Sequence, residues 1–241
     1  EFRRVLFRSE TSFCICLSDQ ETQGRSLIGR KSILRNLTLE DLDREYITQG
    51  RYLHLAHMDP VVKQAALWAR EKGVGVVFDA DHYQKEIAQN YELIDVFIAS
   101  EFYYRTVFGS DDHYERNCRS IQKEGPDIII FTFGERGCLG IFDDEFFKLP
   151  AFQVPVMDTT GAGDVFHGAF IYGLLQGWGV EETARFSSAV SAIKCTRVGG
   201  RVGIPDVPTV EKFLKKGVID FTEIDQRVAF YRNRIFKMDI I

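Results

Sequence analysis

The sequence predicts an α/β fold in which helices flank a largely parallel β-sheet, and three observations support this prediction. Apolar, β-branched runs typical of strands alternate with helical segments between residues 52 and 134. The run at residues 74–80 is apolar almost throughout, as in a strand that is buried on both faces. The segments between the runs are long enough for the crossover helices that parallel strands require.

The elements of this region are predicted in order from these signals. We expect strands at residues 52–57, 74–80, 96–100 and 127–134, and helices at residues 59–73, 83–91 and 112–124. The first helix has the clearest start, because Asp59 can cap it and Pro60 suits its first position.

After Gly134 the pattern changes to a hairpin followed by paired helices. Two apolar runs around residues 143–145 predict the hairpin, and residues 151–154 predict one more short strand. Helices are expected at residues 164–176 and 180–194, and another in the charged, aromatic tail. Residues 11–32 alternate apolar and polar side chains around a polar turn, which predicts a small hairpin and a candidate lid.

Composition and charge exclude several classes of function. The 241 residues carry a net charge of −5, which argues against a nucleic-acid partner bound by electrostatic attraction. The five cysteines lack zinc-ligand spacing, so we expect a reduced, cytoplasmic protein. No apolar run approaches the roughly 18 residues of a membrane-spanning helix, and we predict no membrane association.

Residues 1–9 are set apart because their sequence, EFRRVLFRS, matches the translation of a sequencing adapter. They lack the long apolar region of a signal peptide, and the alternative is a natural basic strand. We therefore expect three parts: an adapter-derived segment at residues 1–9, a partial lid hairpin at residues 10–35, and an α/β domain at residues 36–241 whose N-terminal part is missing.

Residues 158–170, DTTGAGDVFHGAF, bring three small residues and a carboxylate to the start of a predicted helix. The amides of Gly161, Ala162 and Gly163 lie where helix N–H groups lack partners and the helix dipole is positive, which favours a bound phosphate. Asp164 would repel such an anion. Its position makes sense if it is the general base for a hydroxyl that attacks phosphorus.

The same residues do not fit two other phosphate-binding motifs. A Walker A loop requires Lys-Ser or Lys-Thr where Ala169 and Phe170 stand, and a dinucleotide fingerprint requires glycine where Phe166 stands. A helix that is capped by a Gly-rich turn and has no catalytic function remains an alternative on these residues alone.

This segment, together with FTFGERGCLGIF at residues 131–142 and CTRVGGRVGIP at residues 195–205, resembles the ribokinase-like (PfkB) carbohydrate kinases. The resemblance extends over most of residues 11–214. It implies a Rossmann-like α/β domain with a small β lid, and ATP-dependent transfer of the γ-phosphoryl group to a sugar hydroxyl, with Mg²⁺. It leaves open a homodimer formed through the lid and a bound monovalent cation such as K⁺.

By position, the resemblance implies a role for each matching residue. Asp164 would be the catalytic base, and Gly161, Ala162 and Gly163 would form the anion hole. Nucleotide contacts are implied for a second group: Thr132, Gly134, Gly137, Thr160, Ala189, Ser191 and Ala192. Helix packing is the alternative for the last three. The monovalent cation would lie at Asp158 and Thr160 and at the backbone of Lys194, Arg197 and Gly199. Gly203 stands where some members offer a serine hydroxyl.

Two departures limit what the resemblance implies. The magnesium-organising NxxE motif of many members is replaced by SEFY, with Ser100 and Tyr103 in place of Asn and Glu. Glu101 is adjacent, but we expect it to point elsewhere. The first glycine signature and the N-terminal substrate residues have no counterpart, so we expect this chain by itself to be inactive. A nucleoside kinase of the same fold and a non-catalytic nucleotide- or sugar-binding protein remain alternatives.

Four further polar residues have no assigned role. Asp79, in DADH at the end of a predicted strand, could touch metal or substrate, but a solvated loop is the preferred interpretation. His54 and His57 are expected on opposite faces of a strand. For His167 we expect packing or a hydrogen bond rather than catalysis.

Overall fold

The structure, a computed structural model, describes residues 12–18, 25–30 and 35–235. It divides the chain into two compact units, Glu1–Asp41 and Leu42–Ile241. The adapter-derived segment predicted at residues 1–9 lies outside the described residues.

The first unit contains the predicted front hairpin. Strands β1 (Phe13–Ser18) and β2 (Arg25–Arg30) pair antiparallel, with Ile15 opposite Ile28. Because side chains alternate along a strand, Phe13, Ile15 and Leu17 share one face of β1, and each is more than half exposed. The hairpin therefore presents an uncovered apolar face, and its role as a lid stays a prediction.

The second unit is built on a six-stranded sheet, which confirms the predicted fold class. Its strands are β3 (Tyr52–Leu55), β4 (Gly75–Ala80), β5 (Val96–Ser100), β6 (Ile128–Thr132), β7 (Cys138–Phe142) and β8 (Glu145–Leu149), in that spatial order. The first four are parallel, and β7 and β8 add an antiparallel hairpin at one edge. The parallel strands bring their carboxyl ends to a single edge, where ligands bind in sheets of this kind.

Helices cover both faces of this sheet. The second unit contains α1 (Arg44–Ile47), α2 (Pro60–Glu71), α3 (Lys85–Ala88), α4 (Glu101–Phe108), α5 (Tyr114–Gln122), α6 (Ala162–Gln176), α7 (Val180–Cys195), α8 (Val207–Lys216) and α9 (Thr222–Ile235). The Asp59 carboxylate accepts hydrogen bonds from the amides of Val61 and Val62, as predicted for the start of α2. None of the helices in the described part of the chain combines the length and the apolarity needed to cross a membrane.

Because successive side chains of a strand point to opposite faces of the sheet, two hydrophobic cores form, one on each face. Ile98 and Ile130 pack with Phe166 and Phe170 of α6 on one face. Phe97 and Phe131 pack on the other face with a second group of aromatic residues, Tyr103, Tyr104 and Phe133. Strands buried on both faces explain why their sequences are continuously apolar.

Two local predictions were wrong, and some helices were not predicted. The helix expected at residues 83–91 is only one turn, α3, followed by a 3₁₀ turn at Tyr91–Leu93. Residues 151–154 form no strand, because β8 is the last strand of the sheet. Helix α8 was not predicted, although the Asp206 carboxylate caps it through the amide of Thr209 at 3.0 Å.

Candidate active site

The first turn of α6 requires glycine at its cap. Gly161 has a φ of +76°, in the left-handed region that side chains disfavour. A side chain there would also lie 3.0 Å from the carbonyl oxygen of Gly200. Gly161 therefore lets two turns approach closely at the start of α6.

The amides that follow differ in what they offer to an anion. The Ala162 amide donates to the carbonyl of Thr159 at 3.1 Å, so an anion at this residue has to compete with that bond. At Gly163 nothing lies within 4 Å of where a side chain would begin, and the residue is exposed. The uncovered main chain at Gly163 and the positive end of the helix suit a phosphate group.

Asp164 lies in the first turn of α6 and is exposed to solvent. It also lines a cleft of about 400 Å³ that continues along α6 past Ala169 and Tyr172 and is bounded by Gly200 and Arg201. A carboxylate at the mouth of a cleft and next to uncovered amides is positioned to accept a proton from a bound hydroxyl.

The loop before α6 is held against the end of α7. The Asp158 carboxylate accepts hydrogen bonds from the amides of Thr160 at 2.8 Å and Gly199 at 2.7 Å. The amide of Asp158 donates to the carbonyl of Cys195 at 3.1 Å, and the hydroxyl of Ser191 donates to the carbonyl of Ala162 at 2.9 Å. These contacts fix the geometry of the turn that precedes Asp164.

Lys194 extends into the same contact region. Its side chain is fully buried, and its ammonium donates to the main-chain carbonyl of Asp158 at 2.9 Å. Arg197, by contrast, directs its guanidinium to Asp225 and stacks it over the ring of Phe221 at 4.0 Å. The amide of Arg197 donates to the carbonyl of Lys194 at 3.2 Å, so hydrogen bonds join all five residues predicted for a monovalent cation.

Asp158 gives this region a measurable pH dependence. Burial would raise the pKa of Asp158, but hydrogen bonds from Gly199 and Thr160 outweigh it and hold the pKa below its ordinary value of 3.8. A carboxyl with a depressed pKa contributes stability above its unfolded pKa and loses that contribution as the pH falls. We expect the difference in melting temperature between wild type and Asp158→Asn to shrink as the pH is lowered from 6 to about 3.

Thermal melts at each pH measure this difference. Asp127→Asn, at an exposed carboxylate, controls for the general effect of removing one negative charge. A difference that stayed constant or grew at low pH would contradict the role assigned to the hydrogen bonds of Asp158.

The turn between β6 and β7 carries the residues predicted to contact nucleotide. Thr132 ends β6, and the glycines at 134 and 137 have positive φ values of 56° and 92°. A side chain on Gly137 would collide with Leu149, whose carbonyl oxygen would be 2.0 Å away, whereas the space around Gly134 is open. The space around the two glycines therefore differs: the chain packs closely against Gly137, whereas Gly134 leaves main chain uncovered. Contact of either glycine with nucleotide stays a prediction.

The small residues of α7 are not equivalent. Ala189 is fully buried in a core with Phe186 and Val210, which favours the packing alternative for this residue. Ala192 is half-buried and keeps some exposed surface. Contact of either alanine with nucleotide stays a prediction.

The SEFY segment is the start of α4, a helix that was not predicted. Ser100 caps it, accepting from the amides of Phe102 and Tyr103. Tyr103 is fully buried, and its hydroxyl lies 2.5 Å from that of Tyr91. The side chain that stands in place of the Glu of the NxxE motif is therefore part of the core.

Glu101 is directed toward the turn between β6 and β7. Its carboxylate lies 2.5 Å from the guanidinium of Arg136 and 3.2 Å from that of Arg105. Burial would raise the pKa of Glu101, but the two arginines lower it below its ordinary value. The carboxylate thus connects α4 with the turn that contains Gly134 and Gly137.

A group of three residues assembles from distant parts of the sequence. Asp79 lies on β4 rather than in the solvated loop that we expected, and its carboxylate is 3.2 Å from Nε2 of His167. The rings of His54 and His167 are 5.3 Å apart. The burial of His167 and its contact with Asp79 agree with the packing or hydrogen bond expected for it. Because the three residues are far apart in the chain, no local pattern could have indicated the group.

Comparison with known proteins supports the family relationship. Residues 4–207 match the model of the pfkB family carbohydrate kinase. The chain is 25% identical over 228 residues to a 5-dehydro-2-deoxygluconokinase of Clostridium perfringens, with 86% of this chain and 68% of the relative covered. It is 32% identical over 125 residues to an ATP-dependent 6-phosphofructokinase of Thermoanaerobacterium thermosaccharolyticum, with 51% and 38% covered.

A solved structure agrees with these matches. The ribokinase of Thermotoga maritima superposes with a TM-score of 0.72 at 27% identity, with 86% of this chain and 71% of that chain covered. The family model spans most of the sequence and includes the turn at Gly161 and the carboxylate of Asp164. The chain therefore belongs to the PfkB family of carbohydrate kinases.

Proposed function

We propose that the protein is an ATP-dependent sugar kinase that transfers the γ-phosphoryl group to a hydroxyl of a monosaccharide. One observation carries the proposal: an exposed carboxylate, Asp164, follows the uncovered main chain of Gly163 in the first turn of α6. A base and an anion site on adjacent residues are the arrangement that phosphoryl transfer to an alcohol requires.

In this proposal the chain contributes a base and an electrostatic site. Asp164 accepts the proton of the attacking hydroxyl. The amides at the positive end of α6, including those of Gly161 and Gly163, stabilise negative charge on the transferring group. Asp158, Thr160 and Ser191 keep the turn in place through their hydrogen bonds.

The nucleotide fits residues on the turn after β6 and on α7. Nothing lies within 4 Å of a side chain added at Gly134, so uncovered main chain is available there for a phosphate. Four residues would hold ATP, which supplies the phosphoryl group: Thr132, Gly134, Gly137 and Ala192. The name of the ATP-dependent 6-phosphofructokinase among the relatives supports ATP as the donor.

Mg²⁺ has one carboxylate available in the SEFY segment. Proteins commonly bind this ion through substrate phosphates and one or two carboxylates. Tyr103 offers none, so Glu101 is the residue that would hold Mg²⁺ alongside the phosphates. The carboxylate of Glu101 would then bind the metal ion as well as the guanidinium groups of Arg136 and Arg105.

A substrate panel tests the proposal and its nearest alternative. ADP release by the product of the complete gene is measured with monosaccharides and with nucleosides at matched concentrations. We expect kcat/KM for one or more monosaccharides to exceed that for every nucleoside by about 100-fold. If a nucleoside were the best acceptor, the protein would be a nucleoside kinase rather than a sugar kinase.

Assembly and cellular location are part of the same proposal. The exposed apolar face of the hairpin, with Phe13, Ile15 and Leu17, supports a homodimer formed through lid strands. A cytoplasmic location is proposed because sugar phosphorylation by ATP needs the intracellular nucleotide pool.

A further inference from the structure

Lys194 places a positive charge in an unusual position. It belongs to the last turn of α7, has no exposed surface, and donates from its ammonium to the Asp158 carbonyl at 2.9 Å. A buried ammonium is costly unless dipoles or opposite charges compensate for its lost hydration. The structure therefore has to provide compensation around this group.

That compensation has two sources. The last turn of α7 is the negative end of a helix dipole, which favours a cation. The carboxylate of Asp158, only 7% exposed, carries the opposite charge, and the charge of Lys194 helps to keep the pKa of this carboxyl low. A carbonyl, a carboxylate and a helix end are also the groups that hold a monovalent metal ion.

The implied K⁺ site does not fit the residues present. The carbonyl of Asp158 already accepts from the ammonium, and a second cation beside it would be repelled. A side chain at Gly203 would lie 2.5 Å from the carbonyl oxygen of Lys194 and 3.2 Å from Cβ of Arg197. The serine hydroxyl that some family members offer at this position therefore has no room here.

We propose that the ammonium of Lys194 is a built-in monovalent cation that replaces a bound K⁺. This inference rests on the proposed kinase function and concerns how its anion site is held. Lys194 acts as a positioning residue: it binds the carbonyl of Asp158, whose carboxylate holds the amides of Thr160 and Gly199 next to the turn at Gly161. Phosphoryl transfer should then need no added K⁺.

Activity in two salts is the first test. The product of the complete gene is assayed in KCl and in tetramethylammonium chloride at equal ionic strength. We expect wild-type kcat to agree within about twofold, because the proposed cation is part of the chain and does not have to be bound from solution. In Lys194→Ala we expect kcat to fall about tenfold or more without K⁺ and to recover in part with K⁺ or NH₄⁺, since the truncation leaves room for an ion.

A matched variant separates charge from volume. Lys194→Met retains the length of the side chain without the charge, so it should lose activity and show no recovery with K⁺. Activation of the wild type by K⁺ of tenfold or more would overturn the proposal. Equal kcat of wild type and Lys194→Ala in both salts would overturn it as well.

Thermal stability provides a readout that does not depend on catalysis. The melting temperature of wild type should be the same in the two chlorides, whereas that of Lys194→Ala should be lower and should rise specifically with K⁺. If the alanine variant does not fold, a K⁺-specific rise in the wild type alone overturns the proposal, and its absence supports it. If wild type phosphorylates no acceptor, the kinase function fails while the melts still decide the role of Lys194.

Discussion

Replacement of Asp164 by Asn is expected to lower kcat for phosphoryl transfer by about 10²–10⁴-fold. The amide keeps the size of the side chain but accepts a proton far less readily, so the attacking hydroxyl stays protonated in the transition state. The exposed position of Asp164 means that the variant should fold normally. ATP affinity should change by less than about threefold, because the lost interaction is made mainly in the transition state.

Steady-state kinetics and a nucleotide-binding titration on the same preparation measure the two quantities. Glu181→Gln is the matched control, since Glu181 is also an exposed carboxylate in the first turn of a helix, α7, but follows Val180 rather than a run of small residues. Its kcat should equal that of wild type. A kcat for Asp164→Asn within about fivefold of wild type would remove Asp164 from the role of base.

Replacement of Gly137 by Ala should destabilise the fold by about 3 kcal/mol or more. The added carbon would lie 2.0 Å from the carbonyl oxygen of Leu149 and 2.7 Å from the amide nitrogen of Ala151, at a φ of +92°. Both are main-chain atoms, so the conflict is resolved only if β8 separates from the turn after β6. For a chain of this length the expected fall in melting temperature is about 6–12 °C.

Gly168→Ala is the control for this change. Gly168 lies inside α6, and nothing lies within 4 Å of an added side chain. Alanine is the better helix former, so this variant should be neutral or more stable by up to about 1 kcal/mol. Equal melting temperatures for Gly137→Ala and wild type would contradict the tight packing described at the turn.

The sheet and its main helices could be predicted because their signals are local. Continuous apolar runs fix β4, β5 and β6, and Asp59 with Pro60 fixes the start of α2. Helix α4 was not predicted because it follows β5 directly and begins with the aromatic residues of EFYY, which favour strands. The strand expected at residues 151–154 failed for a different reason: an extended segment becomes a strand only if a neighbour pairs with it.

The parts of the site that could be predicted are likewise those with local signals in the sequence. Asp164 and the small residues before it form one continuous motif, so their chemistry is visible in the sequence. The hydrogen bond from Lys194 to Asp158 spans 36 residues, and the contact of His167 with Asp79 joins α6 to β4. Such contacts depend on how helices pack on the sheet, and a single sequence does not encode them in a readable pattern.

Direct detection of the phosphorylated product tests the central claim most directly. The product of the complete gene is incubated with ATP, Mg²⁺ and the best monosaccharide of the panel, and ADP and sugar phosphate are quantified by ³¹P NMR. The proposed function predicts that the two products appear in equal amounts and that neither forms in Asp164→Asn beyond a small residual rate. Tight ATP binding without sugar phosphate from any acceptor would contradict it and would identify a binding protein instead.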